Sequence, residues 1–233
     1  VSPSSPYAHQ AARVADIKIC GLRGPAEMEL CQALKVRWVG LVFHPASPRF
    51  LTPGEARRLH EATSPAQADE PERIGLFVKP TLRVIEQVLE HLPLDGLQLY
   101  TSLENAQAIR RHFQLPVWLA QGIADKAHLP STSSADQIDG YVIEARATAQ
   151  DTRPGGLGRS FDWALTQDWH SPRPWMLAGG LTPENVQTAL KLSGARAVDV
   201  SSGVEESPGR KSLARMENFV RNVRAKSCTS AGS

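Results

Sequence analysis

Short apolar, β-prone runs recur along the whole chain, each closed by a polar or Gly/Pro turn. Eight such runs stand out, at residues 16–20, 37–43, 72–78, 95–99, 116–120, 141–144, 174–178 and 195–200. Most are followed by a pattern of helical period. Residues 81–91 place Leu82, Val84, Ile85, Val88 and Leu89 on one stripe. Residues 52–60 begin Thr52-Pro53-Gly54-Glu55, an N-cap with proline at the first helical position and glutamate three residues after the cap. Thr182-Pro183-Glu184-Asn185 opens another helix with the same Thr-Pro start, and residues 24–35 and 207–225 read as further helices.

Strand alternating with helix predicts parallel βαβ units, and eight units fit a single α/β (β/α)8 TIM barrel. A doubly wound open sheet is the other arrangement compatible with the alternation, but no G-x-G-x-x-G follows the first run. The fifth unit is the weakest, because residues 124–135 are short of apolar positions and rich in Ser and Thr. No linker or change of composition marks a second domain. The expected division is a flexible tail at 1–15, a catalytic barrel at 16–225 and a second flexible tail at 226–233.

Composition narrows the function. The 233 residues are 41% hydrophobic and 21% charged, ordinary for a soluble globular protein. Formal net charge is +2, and no basic run is interleaved with aromatics, so no nucleic-acid partner is expected. No apolar run approaches the roughly 18 residues of a membrane span. The three cysteines, Cys20, Cys31 and Cys228, are unevenly spaced, which reads as reduced thiols and a cytoplasmic protein. The seven histidines have no metal-ligand spacing, so no metal is expected.

The candidate chemistry lies at predicted strand tips. Cys20 ends the first strand just before a glycine and a helix start, where a thiolate could be stabilised; the alternative is a buried packing residue. Cys31 sits on an apolar helical stripe and reads as packing. Glu144 ends the sixth strand, either as a general acid raised in pKa by burial or as a rim carboxylate paired with Arg146. Asp199, at the tip of the eighth strand, is a hydrogen-bond acceptor for a substrate amine or hydroxyl. Arg49 is either a surface cation or a clamp for an anionic group. Three glycine tips could cradle a phosphate with backbone N–H groups: Gly156 and Gly158 in residues 154–158, just before a predicted helix, Gly179 and Gly180 after strand seven, and Ser202 and Gly203 after strand eight. The loops after strands seven and eight are a frequent barrel phosphate site, which makes a phosphorylated small molecule the expected ligand.

These residues resemble the phosphoribosylanthranilate isomerases of tryptophan biosynthesis over roughly residues 16–225. The resemblance rests on Lys18-Ile19-Cys20-Gly21, Gly40-Leu41-Val42-Phe43-His44-Pro45 with Ser47-Pro48-Arg49, and Gly75-Leu76-Phe77-Val78. It continues through Leu97-Gln98-Leu99, Gly155-Gly156-Leu157-Gly158 with Phe161-Asp162-Trp163, and Gly179-Gly180-Leu181 with Pro183-Glu184-Asn185-Val186. It ends on Val198-Asp199-Val200-Ser201-Ser202-Gly203-Val204-Glu205 with Pro208-Gly209, all in the family's order and spacing.

The resemblance implies a (β/α)8 barrel that performs an Amadori rearrangement of N-(5-phosphoribosyl)anthranilate. Cys20 would be the base, Glu144 the acid, Arg49 the partner of the anthranilate carboxylate, and Asp199 a substrate holder. It implies no cofactor, and a monomer or homodimer. The chain departs from the family pattern at four places: Glu144 for an aspartate, Tyr100 for a histidine, Leu119 for a lysine and Leu157 for Ser or Thr. Two other functions remain compatible with the residues: a non-catalytic barrel binding a phosphorylated metabolite, and an isomerase of another phosphorylated aminoaldose.

Overall fold

The computed structural model describes residues 14–63, 70–131, 138–146 and 160–225. A strand forms at each of the eight apolar runs: β1 (Asp16–Cys20), β2 (Trp38–Val42), β3 (Glu72–Val78), β4 (Gly96–Tyr100), β5 (Val117–Ile123), β6 (Gly140–Ala145), β7 (Trp175–Leu177) and β8 (Ala197–Val200). They are parallel and close into a barrel in sequence order, β8 pairing with β1. Closure sets Lys18 beside Asp199, two residues 181 positions apart in the chain.

Alternation along each strand sorts the side chains into two environments. Inside the barrel, Trp38, Ile74, Val142, Met176 and Ala197 form a lower layer with Trp118. Trp38 and Trp118 meet edge to face, ring centroids 5.7 Å apart. Nearer the C-terminal strand ends, Cys20, Val42 and Leu76 form an upper layer with Val78 and Tyr100. Outside, Ile19, Leu41, Leu97, Leu99 and Ile143 pack against helix residues such as Met28, Ile85, Ile109 and Phe219. Each fully buried side chain of this kind contributes about 1.5–3 kcal/mol.

The helices are α1 (Pro25–Ala33), α2 (Pro53–Thr63), α3 (Leu82–Leu89), α4 (Leu103–Phe113), α5 (Val186–Ser193) and α6 (Leu213–Arg224). The expected capping box opens α2: Thr52 N–H donates to Glu55 Oε2 at 2.8 Å and Glu55 N–H to Thr52 Oγ1 at 3.2 Å. The apolar spacing did not reveal α4, which buries only Ala106 and Ile109 of its eleven residues; its start is set locally by Ser102 Oγ accepting from Asn105 N–H at 3.3 Å.

Three expectations need correction. The final helix begins at Leu213, not at 207, because the chain first folds into an antiparallel hairpin of β9 (Glu205–Ser207) and β10 (Arg210–Lys211). Gly209 makes that turn with φ +82°, a conformation that favours glycine. The helix opened by Thr182 begins at Val186, after a turn. After β6, the helix expected to follow the glycine loop is a 3₁₀ turn at Trp163–Thr166. The weak fifth unit holds a 3₁₀ turn at Lys126–His128. The expected tails at 1–13 and 226–233 lie outside the described residues, as does the Gly156–Gly158 loop.

Candidate active site

One cavity opens at the C-terminal ends of the strands, lined by Cys20, Arg49, Gln98, Tyr100, Glu144, Asp199, Gly179, Gly180 and Ser202 among others. Every sequence-derived site residue among the described residues lines it except Gly203, which lies at its edge. Leu119, a departure from the family pattern, is not at the mouth: it packs in the layer between strands and helices.

Cys20 ends β1, 4% exposed. Its thiol has room because β2 carries Gly40 opposite; a Cβ there would come within 2.6 Å of Sγ. Gly21, at φ +83°, then turns the chain under Arg49, whose Cδ would lie 2.4 Å from any added Cβ. Burial pushes the Cys20 thiol up from its ordinary value and Asp199 adds to this, while the ammonium groups of Lys18 and Lys211 draw it back. The sequence had assigned thiolate stabilisation to the following helix start. That helix begins only at Pro25, and Glu27 Oε2 already accepts from the entry amides of Arg23 and Gly24, at 2.7 and 3.2 Å. Lysines supply the positive charge instead.

The sequence marks no role for Lys18. It is fully buried, two residues before Cys20 on the same strand face, and its Nζ donates to Asp199 Oδ1 at 3.0 Å. Burial opposes its charge, yet Asp199 and Cys20 outweigh burial and raise its pKa. A lysine inside an apolar strand at even spacing from a cysteine was the available signal.

Arg49 is buried at 4% exposure and held by a bidentate pair with Glu205: Nε donates to Oε1 at 2.6 Å and Nη2 to Oε2 at 2.8 Å. Lys211 Nζ donates to the same Oε1 at 2.8 Å and to Ser201 O at 3.0 Å. Burial works against the Glu205 carboxylate, but Arg49 and Lys211 together hold its pKa below the ordinary range. Glu205 and Lys211 flank the hairpin that the sequence did not reveal, so their meeting could not be read from spacing.

Glu144 is 5% exposed and lines the same cavity as Tyr100. Burial raises its pKa to about 8. Arg146 turns outward to His128, Nη1 to Nε2 at 2.5 Å. The pairing with Arg146 offered as one alternative does not form, and Glu144 is a buried carboxyl.

The two described glycine tips meet. Gly179 and Gly180 adopt φ +82° and +66°. Asn185 braces this loop, accepting from Thr182 N–H at 2.8 Å and donating to Gly180 O at 2.8 Å. Gly203 packs so closely on it that a Cβ would fall 1.8 Å from Leu181 O. Ser201 Oγ donates to Cys20 O at 3.0 Å, tying this end of the site to β1.

Residues 17–222 match the model of the N-(5'-phosphoribosyl)anthranilate (PRA) isomerase family. The chain belongs to that family. An isomerase of this name from Acidiphilium cryptum is 44% identical over 207 residues, covering 89% of this chain and 97% of the relative. The phosphoribosyl anthranilate isomerase crystal structure from Thermotoga maritima aligns with a TM-score of 0.75 at 28% identity, over 90% of this chain and 98% of that one. A further structure, an isomerase in complex with reduced 1-(o-carboxyphenylamino)-1-deoxyribulose 5-phosphate, aligns at 0.74 and 27% identity, over 90% and 98% of the two chains. No helix among the described residues is long and apolar enough to cross a membrane.

Proposed function

We propose that the chain carries out its family's reaction in tryptophan biosynthesis, converting N-(5-phosphoribosyl)anthranilate to 1-(2-carboxyphenylamino)-1-deoxyribulose 5-phosphate, with Cys20 as base and Glu144 as acid. The observation that carries this reading is a thiol and a buried carboxyl lining one cavity beside the paired β7 and β8 loops. The chemistry is proton transfer throughout. Glu144 gives its proton to the furanose ring oxygen; the C1–O bond breaks onto that oxygen while the nitrogen lone pair forms the C1=N bond. The Cys20 thiolate takes the proton from C2, and the electrons of that bond form C1=C2 as the nitrogen recovers its pair. Tautomerisation of the enol then returns a proton to C1 and leaves a ketone at C2.

A carboxyl with pKa about 8 is protonated at neutral pH and suits a general acid. Lys18 and Lys211 favour the thiolate, and the Lys18–Asp199 pair holds both groups at the substrate's flank. Arg49, fixed through Nε and Nη2 by Glu205, is assigned to the anthranilate carboxylate. The backbone of Gly179, Gly180, Ser202 and Gly203 is assigned to the phosphate; Gly156 and Gly158, given the same role from the sequence, lie outside the described residues. All these groups come from one chain, which suits a monomer or a homodimer with one site per subunit. A base thiol must stay reduced, which suits the cytoplasm.

The test is turnover of phosphoribosylanthranilate generated in situ and followed by loss of its fluorescence. Wild type is expected to be active, and Cys20→Ala and Glu144→Gln each to lose at least about a hundredfold in kcat. No wild-type turnover, with phosphate-ligand binding intact, overturns the reading.

A further inference from the structure

Arg49 lines the cavity, but the two charged groups behind it, Glu205 and Lys211, do not. They face each other as a cross-strand pair of the β9–β10 hairpin, and the Lys211 side chain is fully buried. Every acceptor site of the Glu205 carboxylate is used. Oε1 accepts from Arg49 Nε at 2.6 Å and Lys211 Nζ at 2.8 Å; Oε2 accepts from Arg49 Nη2 at 2.8 Å and Gly209 N–H at 3.2 Å. Lys211 Nζ spends its remaining donors on Ser201, at 3.0 Å to the carbonyl and 3.5 Å to Oγ.

The charge count of this cluster is uneven. Two cations share one carboxylate, so the three side chains together carry +1 in a buried setting. Such an excess is costly unless an anion meets it. Lys211 cannot meet one itself, because its ammonium is enclosed and its donors are taken. Arg49 can: Glu205 occupies Nε and Nη2, and Nη1 is the guanidinium nitrogen it leaves unengaged. An Arg49–Glu205 pair alone would be neutral, and a carboxylate arriving at that guanidinium would be repelled by Glu205 nearly as strongly as it is attracted by Arg49.

We propose that Lys211 determines specificity for the substrate carboxylate: by offsetting Glu205 it leaves the Arg49 guanidinium with a full net positive charge facing the cavity. This deepens the isomerase reading and rests on it, since that reading assigns the carboxylate to Arg49. Glu205 and Lys211 then divide the work. Glu205 fixes the orientation of the guanidinium through two parallel hydrogen bonds. Lys211 keeps that fixation from neutralising the cation. Neither residue touches the substrate, so both act through Arg49.

The experiment measures calorimetric dissociation constants for two ligands: reduced 1-(o-carboxyphenylamino)-1-deoxyribulose 5-phosphate, and the same molecule without its carboxyl group. Their affinity ratio isolates the carboxylate, because phosphate and sugar chain are common to both. The proteins are wild type, Lys211→Met, Lys211→Gln and the Lys211→Met/Glu205→Gln double variant, each checked for folding by circular dichroism. Wild type should prefer the carboxylated ligand. In Lys211→Met, Arg49 and Glu205 remain as a neutral pair, and the preference should shrink roughly tenfold or more. Lys211→Gln keeps an N–H donor without the charge and should lose the preference to a similar extent; it carries the test if the Met variant does not fold. The double variant returns the cluster to +1 and should recover most of the wild-type preference, which no loss of packing or of a hydrogen bond would allow. An undiminished preference in Lys211→Met, its retention in Lys211→Gln, or no recovery in the double variant would each overturn the proposal. Wild-type turnover of phosphoribosylanthranilate is followed alongside. Turnover with a ratio indifferent to Lys211 removes the proposal and keeps the isomerase reading. No turnover with the expected ratios removes the reaction and sustains the role of Lys211, and wild type that binds neither ligand overturns both.

Discussion

At the scale of single residues, the proposed base and acid titrate in an unusual order. Burial raises Glu144 to about 8 and also raises Cys20 above the ordinary thiol value of 9.0. The reactive form needs the group of higher pKa deprotonated and the group of lower pKa protonated. Below about 8 the acid is protonated and the thiolate fraction grows tenfold per pH unit, so kcat/KM should climb with that slope and level off near pH 8. The groups that set this order are Lys18, Lys211 and Asp199 around the thiol, and Tyr100, Asp199 and Lys18 around the carboxyl. A stopped-flow profile that is already flat from pH 6 would contradict it. Gly40 offers a steric test of the same thiol. In Gly40→Ala the new methyl meets Sγ at 2.6 Å, so the thiol must move, and we expect kcat to drop about tenfold or more with the fold retained by circular dichroism.

Among the elements, the β9–β10 hairpin is a buttress for Arg49, the residue proposed to meet the substrate carboxylate. Its turn glycine, Gly209, lies where a Cβ would meet Pro48 O at 2.3 Å, and Glu205 at its start grips Arg49. Gly209→Val strains a φ of +82° and pushes the 47–49 loop away. The expected result is a KM raised several-fold with kcat less affected, since the loop carries the cation and not the acid or base. Equal kinetics in Gly209→Val would remove the hairpin from recognition. The Thr52–Glu55 capping box is the counterpart without function: Thr52→Ala should cost about 1 kcal/mol of stability by chemical denaturation and leave kcat unchanged.

For the whole molecule, a buried acid at the barrel mouth trades stability for readiness. The unfolded chain ionises Glu144 near 4.5 and the folded one near 8, so between those values the native state holds the extra proton. Stability must therefore fall as pH rises through that window, by on the order of a few kcal/mol in all, and then flatten. Glu144→Gln removes the slope. Thermal melts should show the variant more stable than wild type at pH 8.5, with the advantage shrinking toward pH 4.5. An advantage that does not change with pH would show that Glu144 ionises in the folded protein as it does in the unfolded chain, and one that grows as pH falls would put its folded pKa below the unfolded value.

By itself the sequence determined the eight strands, their alternation with helices and the polar residues near the strand ends, because apolar alternation and turn chemistry are local and repeat in register. Cys20, Glu144, Asp199 and the two described glycine tips could be found in this way, since a polar residue closing an apolar strand is visible without knowing its neighbours. Tertiary structure decided what surrounds them. Lys18 meets Asp199 only because β8 closes on β1. Tyr100 and Glu144 line one cavity only because strands two apart curve round one mouth. Arg49 is pinned by Glu205 across 156 residues, through a hairpin whose strands are too short to carry a periodic signal. The proton affinities of the site depend on burial and on charges brought from distant strands, and distances of that kind do not exist until the barrel has closed.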